Sequence, residues 1–377
     1  MQTSLEALSS FWKGKRVLIT GNTGFKGTWL TAWLRRLGAE VSGFALPPDT
    51  NPSLFSLLYE QEPVFWVDGD VREFPVLELA VRAAAPEIVF HLAAQPIVHR
   101  SYEEPVETFA TNVLGTVNVL ETARRVDGVR VVVVVTSDKC YENREWVWAY
   151  RESDRLGGRD PYSNSKACAE LAVDSYRASF FAPEGRVQVA TARSGNVIGG
   201  GDWSASRLLP DLMRSLSEGR GPEIRNPHAT RPWQHVLEPL RGYMMLARRL
   251  WEDGERFAEA WNFGPEEDDT RPVGWISDHV MRLWGPDADW VFDDRQYPHE
   301  SNLLRLDSAK AKLHLGWYPV LRLPEALGWT VDWYRGYHEG ENAARLTHAQ
   351  IAQFESMIFS PQSDQRRETV GEHADSY

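Results

Sequence analysis

Cysteine is nearly absent: Cys140 and Cys168 are the only two in 377 residues, which leaves no disulfide framework. They read as small buried residues in a reducing cytosol, so a cytoplasmic protein is expected. An excess of basic charge is missing as well. The formal net charge is −12 and the pI is near 5.4, which argues against a nucleic-acid polyanion as main partner. A local basic pocket for a phosphorylated small molecule is still compatible with that balance. Long apolar runs are lacking too. The purest, 131–135, is five valines, a strand's length and far too short to cross a bilayer. No stretch near the start joins basic residues to a long apolar run, so no signal peptide is expected. Neither a membrane partner nor a metal site is expected, and there is no internal repeat. Tryptophan is plentiful at 16 copies, and core packing is its simplest explanation.

What is present alternates. Strand-like segments at 16–20, 40–45, 64–67, 87–91, 129–136 and 186–193 are interleaved with helix-like segments at 24–37, 73–84, 105–125 and 162–181. That order predicts an α/β chain with a Rossmann-type, doubly wound parallel sheet. The near-continuous apolar strand at 129–135 suits a sheet covered on both faces. After Arg193 the texture changes to a glycine-rich loop, 194–203, then a helix from 206 to 218, an Arg/His/Pro-rich stretch, a second helix from 233 to 252 and a short strand at 260–264. The expected layout is a dinucleotide-binding part at 11–193 plus 233–264, with a smaller substrate-binding cap at 194–232 plus 265–340. The polar end, 360–377, is expected to be disordered.

Two motifs carry the chemistry. Gly21, Asn22, Thr23, Gly24, Phe25, Lys26 and Gly27 follow the first strand and open an amphipathic helix. Glycines let a backbone approach a pyrophosphate, and a helix N-terminus offers free N–H groups. Tyr162 and Lys166 lie four apart on one helical face, where the ammonium is expected to favour the phenolate and make tyrosine a usable base. Other strand ends add Asp70 and Val71, where the carboxylate either meets an adenine amino group or caps the next helix. They also add the small-residue run Leu92, Ala93, Ala94 and Gln95, and the cluster Ser137, Asp138 and Lys139. Asn112, in the 105–125 segment, joins the cofactor set. NAD is the expected cofactor, although strand two ends in Phe44, Ala45, Leu46 and Pro47 without the acid that usually holds the ribose.

The strings Gly24-Phe-Lys-Gly27, Ser137-Asp-Lys-Cys-Tyr141, Asp160-Pro-Tyr-Ser-Asn-Ser-Lys166, Gly195-Asn-Val-Ile-Gly-Gly-Gly-Asp-Trp203 and Arg231-Pro-Trp-Gln-His-Val236 together carry a resemblance. From about 11 to 337 the chain resembles the extended short-chain dehydrogenases/reductases of the nucleotide-sugar branch, and within it the 4,6-dehydratases that act on CDP-glucose. The Ser-Asp-Lys triplet is the discriminating part, since dehydratases for other nucleotide sugars typically carry Thr-Asp-Glu there and epimerases lack the acid/base pair.

The resemblance implies a redox-neutral loss of water from CDP-glucose. Tyr162, assisted by Ser137 and Lys166, takes the 4-hydroxyl proton during oxidation at C4. Asp138 protonates the departing 6-hydroxyl, and Lys139 either acts as the C5 base or orients Asp138. The product is a 4-keto-6-deoxy sugar still attached to CDP. The substrate diphosphate calls for forked guanidinium groups, with Arg207 and Arg231 as candidates, Asn196 donating nearby and His299 helping to enclose the nucleotide. Another nucleotide-sugar enzyme of this fold, or a non-catalytic NAD(H) sensor, is the alternative; a sensor is expected to lose the Tyr/Lys pair. A homodimer through the helices at 105–125 and 162–181 is expected, because each carries apolar residues on more than one face.

Overall fold

The computed structural model describes residues 5–285, 289–295 and 301–358. Twelve strands lie among them. They are β1 (Arg16–Thr20), β2 (Glu40–Ala45), β3 (Phe65–Asp68), β4 (Ile88–His91), β5 (Val131–Val135), β6 (Gln188–Ser194), β7 (Asn196–Ile198), β8 (Glu223–Ile224), β9 (Thr230–His235), β10 (Ala260–Phe263), β11 (Thr270–Pro272) and β12 (Val291–Phe292). Seven form one sheet in the order β10-β6-β5-β4-β1-β2-β3, and every pairing in it is parallel. The chain therefore winds one way from β1 to β3 and the other way from β4 to β6. The reversal between β1 and β4 creates the crevice where open α/β sheets gather ligands.

β5 shows why the sheet must be covered twice. Val131, Val133 and Val135 enter one apolar cluster, while Val132 and Val134 enter another on the opposite face. Helices Phe25–Arg36, Leu237–Glu252, Leu323–His338 and Ala343–Ile358 supply the first layer. Helices Phe74–Ala84, Gly115–Arg125 and Pro161–Tyr176 supply the second. Trp12, Trp29, Trp33, Trp261, Trp317 and Trp333 are all fully buried, so much of the tryptophan goes into packing.

β7, β9 and β11 form a small second sheet, and β8 with β12 a third; both sit beyond the C-terminal end of the main sheet. Several sequence boundaries shift here. Residues 233–235, expected at the head of a helix, are strand, because β9 pairs with β7 from Asn196↔Trp233 to Ile198↔His235; the helix starts at Leu237. The loop expected at 194–203 contains β7. Helix Ala343–Ile358, beyond the expected end of the cap, buries Thr347, Ile351, Phe354 and Ile358, a spacing of four, three and four that marks one helical face. The segment 360–377 lies outside the described residues.

Candidate active site

The C-terminal ends of β1, β2, β3, β4, β5 and β6 open onto one cavity of about 570 Å³. Its floor is the glycine turn. Gly21 has φ +74°, and a Cβ on it would sit 2.7 Å from the Ala93 nitrogen. A Cβ on Gly27 would lie 2.1 Å from the Gly21 oxygen, so neither position tolerates a side chain. Gly24 is the N-cap of helix Phe25–Arg36 and supplies no side-chain cap, which leaves the first N–H groups for a ligand. The Thr23 hydroxyl donates to the Leu46 carbonyl at 2.8 Å. Lys26 reaches across to Ser194 Oγ at 3.0 Å. Surrounding protein pushes its ammonium down to about 7, and Arg207 and Lys166 add repulsion.

The wall beside this floor is Asp70, Val71 and the run Leu92 to Gln95. Asp70 faces the cavity, yet its carboxylate is also held locally, by the Arg72 backbone N–H and by its guanidinium at 2.9 Å. That contact pulls its pKa down. Asn112 does not line the cavity. It is buried behind the wall, where its amide accepts from Gln95 N at 2.9 Å and donates to Gln95 O at 3.1 Å and Ser165 Oγ at 2.8 Å. Its reach to a cofactor is through Gln95. The end of β2 bears no acid, as the sequence implied; Leu46 and Pro47 line that rim, and Asp49 is the first carboxylate beyond them.

At the end of β5 the chain turns through a single 3-10 turn, Asp138–Cys140. Ser137 Oγ donates to Asp138 Oδ1 at 3.0 Å and accepts from Lys139 N at 3.2 Å. Asp138 Oδ2 is buried with no partner among the described residues, and burial raises the carboxyl pKa despite nearby Lys139. Tyr162 and Lys166 enter from helix Pro161–Tyr176, whose N-cap Asp160 accepts from Ser163 N at 2.9 Å. Ser137 lies beside Tyr162 and pulls the phenol's pKa down, against the effect of burial. The expected lowering of the phenol by Lys166 is not what dominates: burial pushes Tyr162 up to about 12. The ammonium is itself pushed down to about 8 by burial and donates to the Val135 carbonyl at 3.3 Å. Burial favours the neutral form of both groups, so a phenolate needs added positive charge.

Across the cavity lie Asn196, Arg207 and Arg231. Arg207 Nη1 pairs with Asp202 at 2.9 Å, and Arg231, buried, donates to the carbonyls of Thr230 at 3.0 Å and Asn302 at 3.3 Å. His299 lies outside the described residues.

The model of the NAD dependent epimerase/dehydratase family matches residues 17–262. The chain belongs to that family. It is 49% identical over 351 residues, 92% of this chain and 98% of the other, to a CDP-glucose 4,6-dehydratase from Salmonella typhimurium. It is 30% identical to a dTDP-glucose 4,6-dehydratase from Streptomyces antibioticus, over 85% of this chain and 92% of that one. Among solved structures, an epimerase from Methanothermobacter thermautotrophicus superposes with a TM-score of 0.76 at 26% identity, covering 89% of this chain and 96% of its own.

The cofactor in the family's name fits the residues found. The side-chain-free glycine floor, the uncapped helix start and the small residues of the 92–95 wall accept a dinucleotide laid against backbone. One element of this family member was missed in the sequence. Glu170, one helical turn beyond Lys166, is buried and accepts from Arg193 Nε at 2.9 Å, Arg193 Nη2 at 2.8 Å, Thr191 at 2.7 Å and Thr136. It ties the helix bearing the Tyr/Lys pair to β6 and to the residue before Ser137. The four-residue spacing that continues from Tyr162 and Lys166 to Glu170 is the sequence signal that went unused.

Proposed function

We infer that this protein is a CDP-glucose 4,6-dehydratase, a hydro-lyase that uses NAD and returns it unchanged. The observation that carries this reading is a second protonatable group in the buried cluster. Tyr162 alone serves an alcohol oxidation; Asp138, with a raised pKa and one unpartnered oxygen, is needed only where a C–O bond must also break. Bound NAD supplies a two-electron acceptor for C4 of the sugar and returns the same electrons at C6.

The chain's own residues do the rest. Tyr162 takes the 4-hydroxyl proton, with Ser137 beside it and Lys166 one helical turn further on. The resulting ketone acidifies the C5 hydrogen. Lys139 faces the cavity next to the acid and serves C5, either as base or by holding the enolate's charge. Asp138 gives its proton to the 6-hydroxyl, which leaves as water. Positive charge from Arg207 and Arg231 along the opposite wall suits a diphosphate. The choice of cytidine over thymidine rests on the higher similarity to the CDP-glucose enzyme. Incubation with NAD and CDP-glucose, dTDP-glucose or GDP-mannose tests it. A product one water lighter, with the alkaline absorbance of a 4-keto sugar, should form from CDP-glucose. Its absence with CDP-glucose, or a clear preference for another nucleotide, would overturn the assignment.

A further inference from the structure

Resting on that dehydratase reading, the protons of the two half-reactions do not balance at any one residue. Oxidation at C4 leaves a proton on Tyr162. Loss of the 6-hydroxyl removes one from Asp138. The C5 proton leaves the sugar and an equivalent one returns, so it cancels. Each turnover therefore ends with Tyr162 one proton richer and Asp138 one poorer, although the sugar has lost only neutral water. Neither group can act again until that is reversed.

Ser137 stands between the two groups. It lies beside the Tyr162 hydroxyl, near enough to lower its pKa, and its Oγ donates to Asp138 Oδ1 at 3.0 Å. The Lys139 N–H on Ser137 Oγ, at 3.2 Å, anchors the serine between them. Tyr162 is 7% exposed, Ser137 6% and Asp138 2%, so direct exchange with bulk water is hindered at both ends. We propose that Ser137 returns the proton from Tyr162 to Asp138 within every turnover. The Tyr162 O–H bond breaks as Ser137 Oγ accepts; the serine's own O–H bond breaks as Asp138 accepts. The serine finishes with one proton, as it started, and no proton enters or leaves the protein. A half-turn of the carboxyl, a soft two-fold torsion, exchanges its oxygens and presents the proton to the sugar. The positive charge of the oxidised cofactor favours the phenolate and so drives the transfer in the required direction.

The test uses the whole chain, equilibrated with NAD so that both groups settle their protons through solvent, then mixed rapidly with excess CDP-glucose. In Ser137→Ala the bridge is gone while both end groups remain. One product per site should form in a burst, followed by turnover about tenfold slower or more that accelerates with the concentration of a small acid such as imidazolium. A pH-indicator dye in weak buffer should report protons leaving and re-entering the variant but stay silent with the wild type. Ser137→Thr, which keeps the hydroxyl, should restore wild-type behaviour. A serine that merely supports the turn or assists C4 oxidation predicts that first and later turnovers slow by one common factor, with no buffer dependence; that result overturns the proposal. So does stoichiometric proton release by the wild type, an arm that needs no variant. Absence of product from the wild type would instead remove the dehydratase reading itself.

Discussion

Asp138 is one carboxyl with two distinguishable oxygens, one bonded to Ser137 and one unpartnered, and single substitutions can separate its role from its neighbours'. Asp138→Asn keeps the shape but cannot donate a proton to the departing hydroxyl. Oxidation at C4 should survive, so reduced-nicotinamide absorbance should build up on the enzyme while product formation drops about 10²- to 10⁴-fold. Tyr162→Phe should abolish both signals. Wild-type turnover by a well-folded Asp138→Asn protein removes the acid role. His91 offers a second test, of stability. Thr116 already donates to the Asn112 carbonyl at 2.7 Å, so its oxygen accepts from His91 Nε2 at 3.0 Å, and Nδ1 accepts from Thr20 at 2.7 Å. Burial, with help from Lys166, depresses this imidazole to about 3. Between that value and the unfolded value of about 6.5, the unfolded chain binds the extra proton, so acidification destabilises the fold. Comparing urea stabilities at pH 6 and pH 5, the wild type should lose about 1.2 kcal/mol more than His91→Gln. Equal slopes would show that the imidazole titrates normally.

Among the elements, the strand–turn–helix at 16–36 was the most legible, because a dinucleotide demands its glycines, small residues and helix start in immediate succession. The same sequence logic placed Tyr162 and Lys166 correctly on one face yet misjudged the phenol, since desolvation by the folded surroundings has no sequence signature. Asn112, expected in the cofactor set, lies within a π-helical segment at Ala110–Leu114 and its amide is taken up by Gln95 and Ser165. Residues 233–235, Trp-Gln-His, are too few to declare a period against the helix that follows them, and pairing with β7 makes them strand. The Glu170–Arg193 pair, with side chains 3% and 4% exposed, is the main tie between the Tyr/Lys helix and the sheet. Glu170→Ala strands a buried guanidinium and should cost about 3–5 kcal/mol, read as a fall in the denaturant midpoint. The double replacement of both partners by apolar residues should recover much of it. The β2 end, with no acid for the ribose, makes a separate claim. Lacking a charge-assisted hydrogen bond of about 1.5–3 kcal/mol, this protein should hold NAD roughly ten- to a hundred-fold more weakly than relatives that carry that acid. Retention of a full complement of NAD through dialysis contradicts it.

At the scale of the whole molecule, exposed apolar side chains gather where two neighbouring helices show their outer faces. Val106 is 82% exposed, Leu114 58% and Leu171 57%, whereas Leu120 and Val173 turn inward to the sheet at 0%. Two such faces from two copies would cover each other in a four-helix bundle. The protein should scatter light as a dimer at micromolar concentration and become monomeric in Leu171→Arg, while a wild-type mass of one chain sinks the idea. Much of the rest of the outline was legible in the alternating pattern; the small sheets that form where the chain crosses out of the main one were not, since pairings such as β7 with β9 join residues far apart in the chain. Those crossings decide what can be exchanged by engineering. The chain leaves the main sheet after β6, comes back for helix Leu237–Glu252 and β10, leaves again, and its last two described helices pack on the central core. Grafting another enzyme's sugar specificity therefore requires two separate inserts, about 195–236 and 264–322, sharing one frame. The first seam falls at Gly195, where an added Cβ would lie 2.5 Å from the Pro232 side chain and 3.0 Å from Asp138 Oδ2. A chimera made there inherits not only a new recipient for the nucleotide but a new roof over the acid, so substrate choice and elimination rate should be inherited together.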